Sequence, residues 1–169
     1  MFGLGSDDAP PASEDIVFPI YKVCQEFNKP VLIHTGLSWA PSAQLAHAQP
    51  LVLEKALAAF PGVNFIIPHL GYPWLQETCA LAMKYPNLYL DTSVHYSGTP
   101  LTCLRHIVKH VIGRHVFEDS LRTKLLFGSN YPRIDMRRCV RAYDGLGFSP
   151  ELKDHIFSTN AQRLLGEIS

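Results

Sequence analysis

The chain has 169 residues, enough for one domain with a buried core. Hydrophobic residues make up 47% and charged residues 18%, a composition typical of globular proteins and not of disordered chains. The formal net charge is zero, so we expect neither a nucleic-acid partner nor an anionic-membrane partner. There is no long apolar span and no secretory pattern after Met1, so we expect a cytoplasmic protein.

The four cysteines lie far apart in the sequence, and none forms a C-x-x-C pair. This spacing argues against a zinc knuckle or a disulfide framework, so we expect reduced and mostly buried thiols. The residues are Cys24, Cys79, Cys103 and Cys139.

The predicted elements begin after a Gly-, Asp- and Pro-rich stretch, residues 1–13, which we interpret as a flexible N-terminal segment. Ser13 is the predicted N-cap of a first helix, whose apolar residues at helical spacing run from Ile16 to Phe27. Pro30 ends this helix, because proline disfavours helical backbone at the residue before it. Ser149 and Pro150 predict another helix start, with the serine as N-cap and the proline in the first turn.

Four short apolar runs, bounded by turn residues, are predicted strands. Helices are predicted between and after them, with crossovers of roughly 20–30 residues, which is long enough for parallel pairing. We therefore expect an α/β fold with about four parallel strands, forming a single domain over residues 1–169. The predicted strands are 31–34, 64–68, 88–91 and 124–127, and the predicted helices include 51–60, 72–85, 101–112 and 135–144.

A polar residue two positions from a glycine stands at or just after the end of three of these strands: His34, His69 and Asn130. Because sites in parallel α/β folds lie beyond the carboxyl ends of the strands, these side chains are expected to converge there. Neutral imidazole is a common metal ligand and also exchanges protons near neutral pH. The two histidines are therefore interpreted as a ligand plus a base, or as two ligands. The alternative for each is a hydrogen-bonded structural histidine.

Four further residues are candidates for contact with a substrate. Asp91 closes the third strand and either polarises a neighbour or caps the turn formed with Thr92 and Ser93. His95, in the same loop, either reaches the substrate or lies on the surface. Trp39 and Tyr131 either line a pocket or pack against a loop.

Five motifs, in order across nearly the whole chain, resemble the amidohydrolase-related family, which includes metal-dependent hydrolases similar to aminocarboxymuconate semialdehyde decarboxylase. The motifs are PVLIHTG at 30–36, IPHLG at 67–71, NLYLDTS at 87–93, LFGSNYP at 126–132 and NAQRLLG at 160–166.

The resemblance implies a (β/α)8 TIM barrel, of which this sequence matches the C-terminal half, strands five to eight. It implies that His34 binds a divalent metal, with Zn2+ the expected ion. It also implies that His69 acts as a catalytic acid or base or as a further ligand. Asn130 stands where the family has an aspartate that binds metal and handles protons.

Two departures from the family pattern shape the functional prediction. The His-x-His pair of the family's first strand is absent, and the amide of Asn130 cannot take up a proton. The resemblance implies an enzyme that hydrolyses C–N or C–O bonds, or that decarboxylates a small carboxylated substrate without oxidation. The two departures leave open whether this chain is active alone or is an inactive, truncated form. The alternative is a non-catalytic half-barrel that acts as a binding or assembly module.

A third possibility is a complete four-stranded doubly wound domain, which would need helices on both faces of the sheet. No G-x-G-x-x-G loop supports nucleotide binding by such a domain. In a half-barrel, by contrast, the two outer strands expose apolar edges that favour pairing with another chain. The predicted partner is therefore a second copy or a complementary half-barrel chain.

Overall fold

A computed structural model describes residues 15–94 and 96–167 of the chain. Strands and helices alternate, as the sequence predicts. The strands are β1 (Val31–Leu32), β2 (Phe65–Ile67), β3 (Leu88–Asp91) and β4 (Leu125–Leu126). The α-helices are α1 (Phe18–Glu26), α2 (Glu54–Ala59), α3 (Leu75–Lys84), α4 (Pro100–His106), α5 (Met136–Asp144), α6 (Pro150–Asp154) and α7 (Asn160–Leu165).

The sheet follows the chain order β1-β2-β3-β4. β1 and β2 pair in parallel with Val31 opposite Phe65, and β2 and β3 pair in parallel with Phe65 opposite Leu88. At the end of β3, the Thr92 N–H donates to the Leu126 carbonyl of β4 at 2.9 Å. The predicted fold of four parallel strands alternating with helices is confirmed.

Some helical regions contain π-helical turns, which are wider than those of a regular α-helix. α4 continues as a π-helix over Ile107–Val111, and a π-helical segment over His155–Thr159 joins α6 to α7. The last helical region therefore runs from Pro150 to Leu165 in three connected segments. The predicted cap at Ser149 is confirmed, because its hydroxyl accepts from the Leu152 N–H at 3.1 Å.

The chain divides into two compact units, the first ending at Leu90 and the second starting at Asp91. A single domain over 1–169 stays a prediction, and residues 1–13 and the Ser13 cap lie outside the described residues. In the part of the chain that the structure describes, no helix is long and apolar enough to cross a membrane.

The core of the first unit is built around Tyr21, which anchors α1. Its ring makes edge-to-face contacts with Phe60 at 5.5 Å and with Phe65 at 5.1 Å between centroids. Such pairs stabilise a core beyond the apolar area that they bury. Buried Asn87 donates to the Leu57, Phe60 and Val63 carbonyls at 3.1–3.2 Å, so the chain entering β2 is tied to the start of β3.

The core of the second unit surrounds Tyr143, which contacts Phe148 and Phe157. Buried Asn160 donates to the Arg122 carbonyl at 2.7 Å and to the Leu125 carbonyl at 2.8 Å, so α7 closes over β4. The prediction of mostly buried thiols is confirmed: all four cysteines are free, Cys24 is half-buried and the other three are buried.

Candidate active site

His34 follows β1 and is aimed by an unusually tight turn. Gly36 has φ of +110°, and a Cβ there would lie 2.6 Å from the Tyr72 carbonyl oxygen. Glycine is the residue that tolerates both this dihedral angle and this approach. The Gly36 N–H donates to the Ala48 carbonyl and the Leu37 N–H to the Tyr72 carbonyl, each at 2.7 Å. The turn after His34 is therefore fixed to the chain that follows His69.

His69 lies in left-handed backbone directly after β2. His69 and Leu70 have φ of 59° and 52°, and Gly71 continues the left-handed run at 67°. A non-glycine residue in this region is strained by about 1–3 kcal/mol, and such strain clusters at functional sites. The run of left-handed residues turns the chain sharply at the point where the imidazole leaves the strand.

The two histidines meet within the first unit, as the sequence predicts. Their ring centroids lie 5.3 Å apart with the ring planes at 70°, an edge-to-face arrangement, and both residues are half-buried. Burial lowers the pKa of His34, and the neighbouring His69 lowers it further. A hydrogen bond with the Leu37 backbone opposes this shift. His34 is therefore a neutral imidazole at pH 7, the form that accepts a proton or binds a metal.

The pair does not make a complete zinc site by itself. Zinc in proteins takes three or four nitrogen, sulfur or carboxylate ligands. Among the described residues no group of three His, Cys, Asp or Glu side chains is placed to hold a metal ion. Two imidazoles therefore fall short of the donor set that the resemblance implies.

Two further polar atoms in this unit were given no role by the sequence. The Thr35 hydroxyl and the His47 Nδ1 are buried, and neither has a hydrogen-bond partner among the described residues. Buried polar atoms are normally paired, so an unpaired one points to strain, to function or to an unseen water. No signal in the sequence singles out His47, which lies in the long segment after β1.

In the second unit, Asp91 is bound into its own turn. Its carboxylate accepts from the Ser93 N–H at 2.6 Å and also from the Ser93 hydroxyl. A Cβ at Gly128 would lie 2.6 Å from both carboxylate oxygens, so the chain after β4 passes directly over them. Asp91 therefore caps the turn, one of its two predicted roles, and contact with a substrate stays a prediction.

Beside Asp91 the structure forms a small pocket with room for roughly one water molecule. Thr92 donates to the Leu126 carbonyl at 2.9 Å and shares a hydrogen bond with the buried Tyr143 hydroxyl. Burial raises the pKa of Tyr143, so its hydroxyl stays protonated. The pocket is lined by Thr92, Ser93, Gly128, Ser129, Cys139 and Tyr143, together with four apolar side chains.

The remaining candidates differ widely in exposure. Asn130 is half-buried with φ of 59°, and its carbonyl accepts from the Arg133 N–H at 3.0 Å. Tyr131 is 72% exposed and Trp39 is 60% exposed. His95 lies outside the described residues. The roles predicted for these four residues in catalysis or substrate binding stay predictions.

Comparison with known proteins fits these observations. A family model described as Amidohydrolase matches residues 2–166. The chain belongs to the amidohydrolase family. Protein fluG of Emericella nidulans is 41% identical over 64 residues, which are 38% of this chain and 7% of that protein.

Solved structures show the fold of this amidohydrolase chain. An uncharacterised TIM-barrel protein of Bordetella bronchiseptica is 24% identical, with a TM-score of 0.73, over 92% of this chain and 52% of that one. The 2,6-dihydroxybenzoate decarboxylase from Rhizobium is 15% identical, with a TM-score of 0.63, over 98% of this chain and 61% of that one. The chain thus spans only about half of such barrels, and the prediction of half a (β/α)8 barrel is confirmed.

Proposed function

We propose that the His34–His69 pair is a proton-transfer centre acting on a small carboxylated substrate. The reaction is hydrolysis of a C–N or C–O bond, or decarboxylation without oxidation. The observation that carries this proposal is the edge-to-face pair itself, with ring centroids 5.3 Å apart and a lowered pKa at His34. Pairs of titratable groups whose environments differ are typical of acid–base catalysis.

In this proposal the two imidazoles have different roles. His34, neutral at pH 7, takes a proton from water or from a substrate hydroxyl. His69 delivers a proton to the leaving atom or, in a decarboxylation, to the carbon that loses CO2. Asn130 binds water or the substrate through its amide, and Asp91, His95, Trp39 and Tyr131 are the proposed substrate contacts.

In this proposal His34 and His69 bind a divalent metal only weakly, with Zn2+ the expected ion. Because the described residues supply two ligands, we expect zinc to be lost on dialysis and no step depends on it. Zinc titration by calorimetry tests this expectation, and His34→Ala should abolish the residual binding. Tight stoichiometric zinc in the dialysed protein would show that further ligands are present.

Turnover measurements test the catalytic proposal. Candidate substrates are 2,6-dihydroxybenzoate for decarboxylation and small carboxylated amides and esters for hydrolysis. His34→Gln and His69→Gln should each lower kcat/KM by at least about 100-fold, the usual contribution of a general acid or base. His106→Gln, at an exposed histidine of the second unit, is the matched control and should leave turnover unchanged. Equal activity in all three variants would exclude a catalytic role for the pair.

Assembly is a second candidate function, favoured by an apolar stripe along α1. Ile16, Ile20, Val23 and Phe27 follow one another at helical spacing and are 41–72% exposed. In the same unit Leu32 of β1, at the end of the strand order, is 38% exposed. An exposed apolar helix face in the same unit as an edge strand is suited to a further β/α unit, with a parallel strand on β1 and a helix along α1.

Light scattering of the purified chain tests this second candidate. A dimer would identify the partner as a second copy, whereas a monomer that binds a hydrophobic dye points to a complementary half-barrel chain. Ile20→Glu with Phe27→Glu should abolish the association or the dye binding. The control Leu165→Glu, at a residue that is 61% exposed in the second unit, should not. If the α1 variant behaves like the control, the stripe is not a docking surface.

A further inference from the structure

The net charge of zero conceals a strong separation of charge along the chain. Residues 105–141 contain nine of the 15 lysines and arginines but only three of the 15 aspartates and glutamates. This segment therefore carries a net charge of +6, and the rest of the chain carries −6. A local excess of this size attracts anions even when the whole protein is neutral.

The structure places much of this charge on the outer side of α4 and its π-helical extension. Arg105, His106, Lys109 and His110 are exposed there, while Leu104, Ile107 and Val108 are buried. The apolar and basic residues thus occupy opposite sides of one continuous helical segment.

Helix α5 adds a second basic row within the same unit. Arg137, Arg138 and Arg141 are exposed, while Cys139, Ala142 and Tyr143 are buried. α5 packs against α4, and the Arg105 guanidinium donates to the Gly145 carbonyl just after α5 at 3.5 Å. Arg137 and Arg141 are one helical turn apart, a rise of about 6 Å.

Three of the nine cations in this segment pair with a carboxylate among the described residues. The pairs are Arg137 with Asp135 at 3.8 Å, Arg114 with Glu118 at 3.6 Å and Arg122 with Glu151 at 3.0 Å. Within residues 15–94 and 96–167, Lys109, Arg138 and Arg141 form no ion pair. Guanidinium groups that lack a carboxylate are suited to binding phosphate through two parallel hydrogen bonds.

Exposed imidazoles alternate with the cations. Three basic residues are each followed directly by an exposed histidine, in the pairs Arg105-His106, Lys109-His110 and Arg114-His115. The rings of His106 and His110 lie 5.5 Å apart, with their planes at 36°. Histidine is one of the side chains on which unstacked nucleic-acid bases stack.

We propose that this basic face, formed by Arg105, His106, Lys109, His110, Arg138 and Arg141, binds single-stranded nucleic acid. The cations contact successive phosphates, and the imidazoles of α4 stack on bases. An anionic membrane fits the surface less well, because the described residues of α4 expose no large hydrophobic side chain and those of α5 expose only Met136 and Val140. The binding is expected to be independent of sequence and sensitive to salt.

Fluorescence anisotropy with a labelled 20-nucleotide oligo(U) tests the proposal at pH 7.5, over a range of salt concentrations. Each phosphate contact to a single strand contributes about 0.7 to the slope of log K against log salt. Lys109→Gln with Arg141→Gln should therefore weaken binding at low salt at least tenfold and reduce the slope by about 1.4. Lys22→Gln with Lys29→Gln makes the same change of charge at exposed lysines of the first unit, and should alter neither quantity.

Stacking is tested separately from charge. His106→Ala with His110→Ala should weaken binding severalfold with the salt slope unchanged, and tyrosine at both positions should restore it. Three results would overturn the proposal: no binding of oligo(U) at low salt, equal loss in the control pair, or binding to phosphatidylserine vesicles but not to oligo(U). Circular dichroism of each variant confirms that the fold is retained.

Discussion

The two units use the same device, an apolar strand that ends in a polar residue, with different results. In the first unit His34 and His69 meet ring to ring, whereas in the second unit Asp91 is bound into its own turn. The difference lies two residues further along the chain. Gly36 and Gly71 have no side chain with which to cap, but Ser93 donates twice to Asp91. The residue two positions after the strand end therefore decides whether a side chain of the turn itself binds the polar group.

The units also share a structural element, a buried asparagine that ties a strand to its surroundings. Replacing Asn160 by alanine removes the donor to two carbonyls, that of Leu125, which is buried, and that of Arg122, which is partly buried. We expect a loss of about 3 kcal/mol in the free energy of unfolding. Asn87→Ala is the matched change in the first unit, where three carbonyls lose a donor, and a loss of similar size is expected.

Urea denaturation with two probes assigns each loss to its unit. Trp39 and Trp74 both lie in the first unit, so tryptophan fluorescence reports that unit, while circular dichroism reports both. Asn160→Ala should lower the midpoint seen by circular dichroism more than the midpoint seen by fluorescence, and Asn87→Ala should lower both. If Asn160→Ala shifts the two midpoints equally, the units do not respond separately.

The left-handed turn after His69 provides the next largest effect. Gly71→Ala places a methyl group 2.2 Å from the Thr78 hydroxyl oxygen at a φ of 67°, so both a clash and backbone strain oppose it. We expect destabilisation of about 2–3 kcal/mol by thermal or urea unfolding. Gly166→Ala has φ of 75° with open space around it, and strain alone should cost about 1 kcal/mol. Equal losses would mean that the packing against Thr78 relaxes.

Ser93→Ala tests the capping explanation directly. The substitution removes the hydroxyl donor to Asp91 but keeps the backbone N–H, so a loss of about 1 kcal/mol is expected. Urea denaturation followed by circular dichroism measures this loss. An unchanged midpoint in the variant would show that the hydroxyl contributes nothing to holding Asp91.

The smallest expected effect is the pH dependence of stability that comes from His34. In the unfolded chain this group titrates near 6.5, and in the folded chain its pKa is lower because of burial and of His69. As the pH falls the unfolded state takes up the proton first, so the folded state loses stability. The stability that His34 contributes is therefore fully present above about pH 6.5. It is lost below that, as the pH falls through the pKa of His34 in the folded chain. His34→Gln should flatten the urea midpoint between pH 7.5 and 5.5, and an equally steep profile in the variant would assign the effect to other groups.

The sequence predicted the elements of the fold well where local chemistry is decisive. α1 ends at Glu26, shortly before Pro30. Ser149 and Pro150 start α6, and the apolar runs between turn residues form the four strands. The meeting of His34 with His69 was also predictable, because both follow strands that pair in register. In these cases a short stretch of sequence is sufficient to determine the geometry.

Features that depend on distant contacts were not predictable in this way. The π-helical turns at 107–111 and 155–159 have no local signature in the sequence. The left-handed backbone at Leu70 is imposed on a residue that does not favour it, because it requires the turn around Gly71. The net charge of the whole chain did not indicate the basic face, because a sum over all residues does not show where the charges lie.

The hydrogen bond from the Leu37 N–H to the Tyr72 carbonyl affects which substitutions this protein can accept during evolution. It joins an amide hydrogen to a carbonyl oxygen, atoms that almost every amino acid possesses. A backbone hydrogen bond therefore helps to hold the His34 and His69 rings at their distance, and substitutions of neighbouring side chains do not remove it. If the proposed function holds, changes in the surrounding loops alter which substrate binds while the distance between His34 and His69 stays the same.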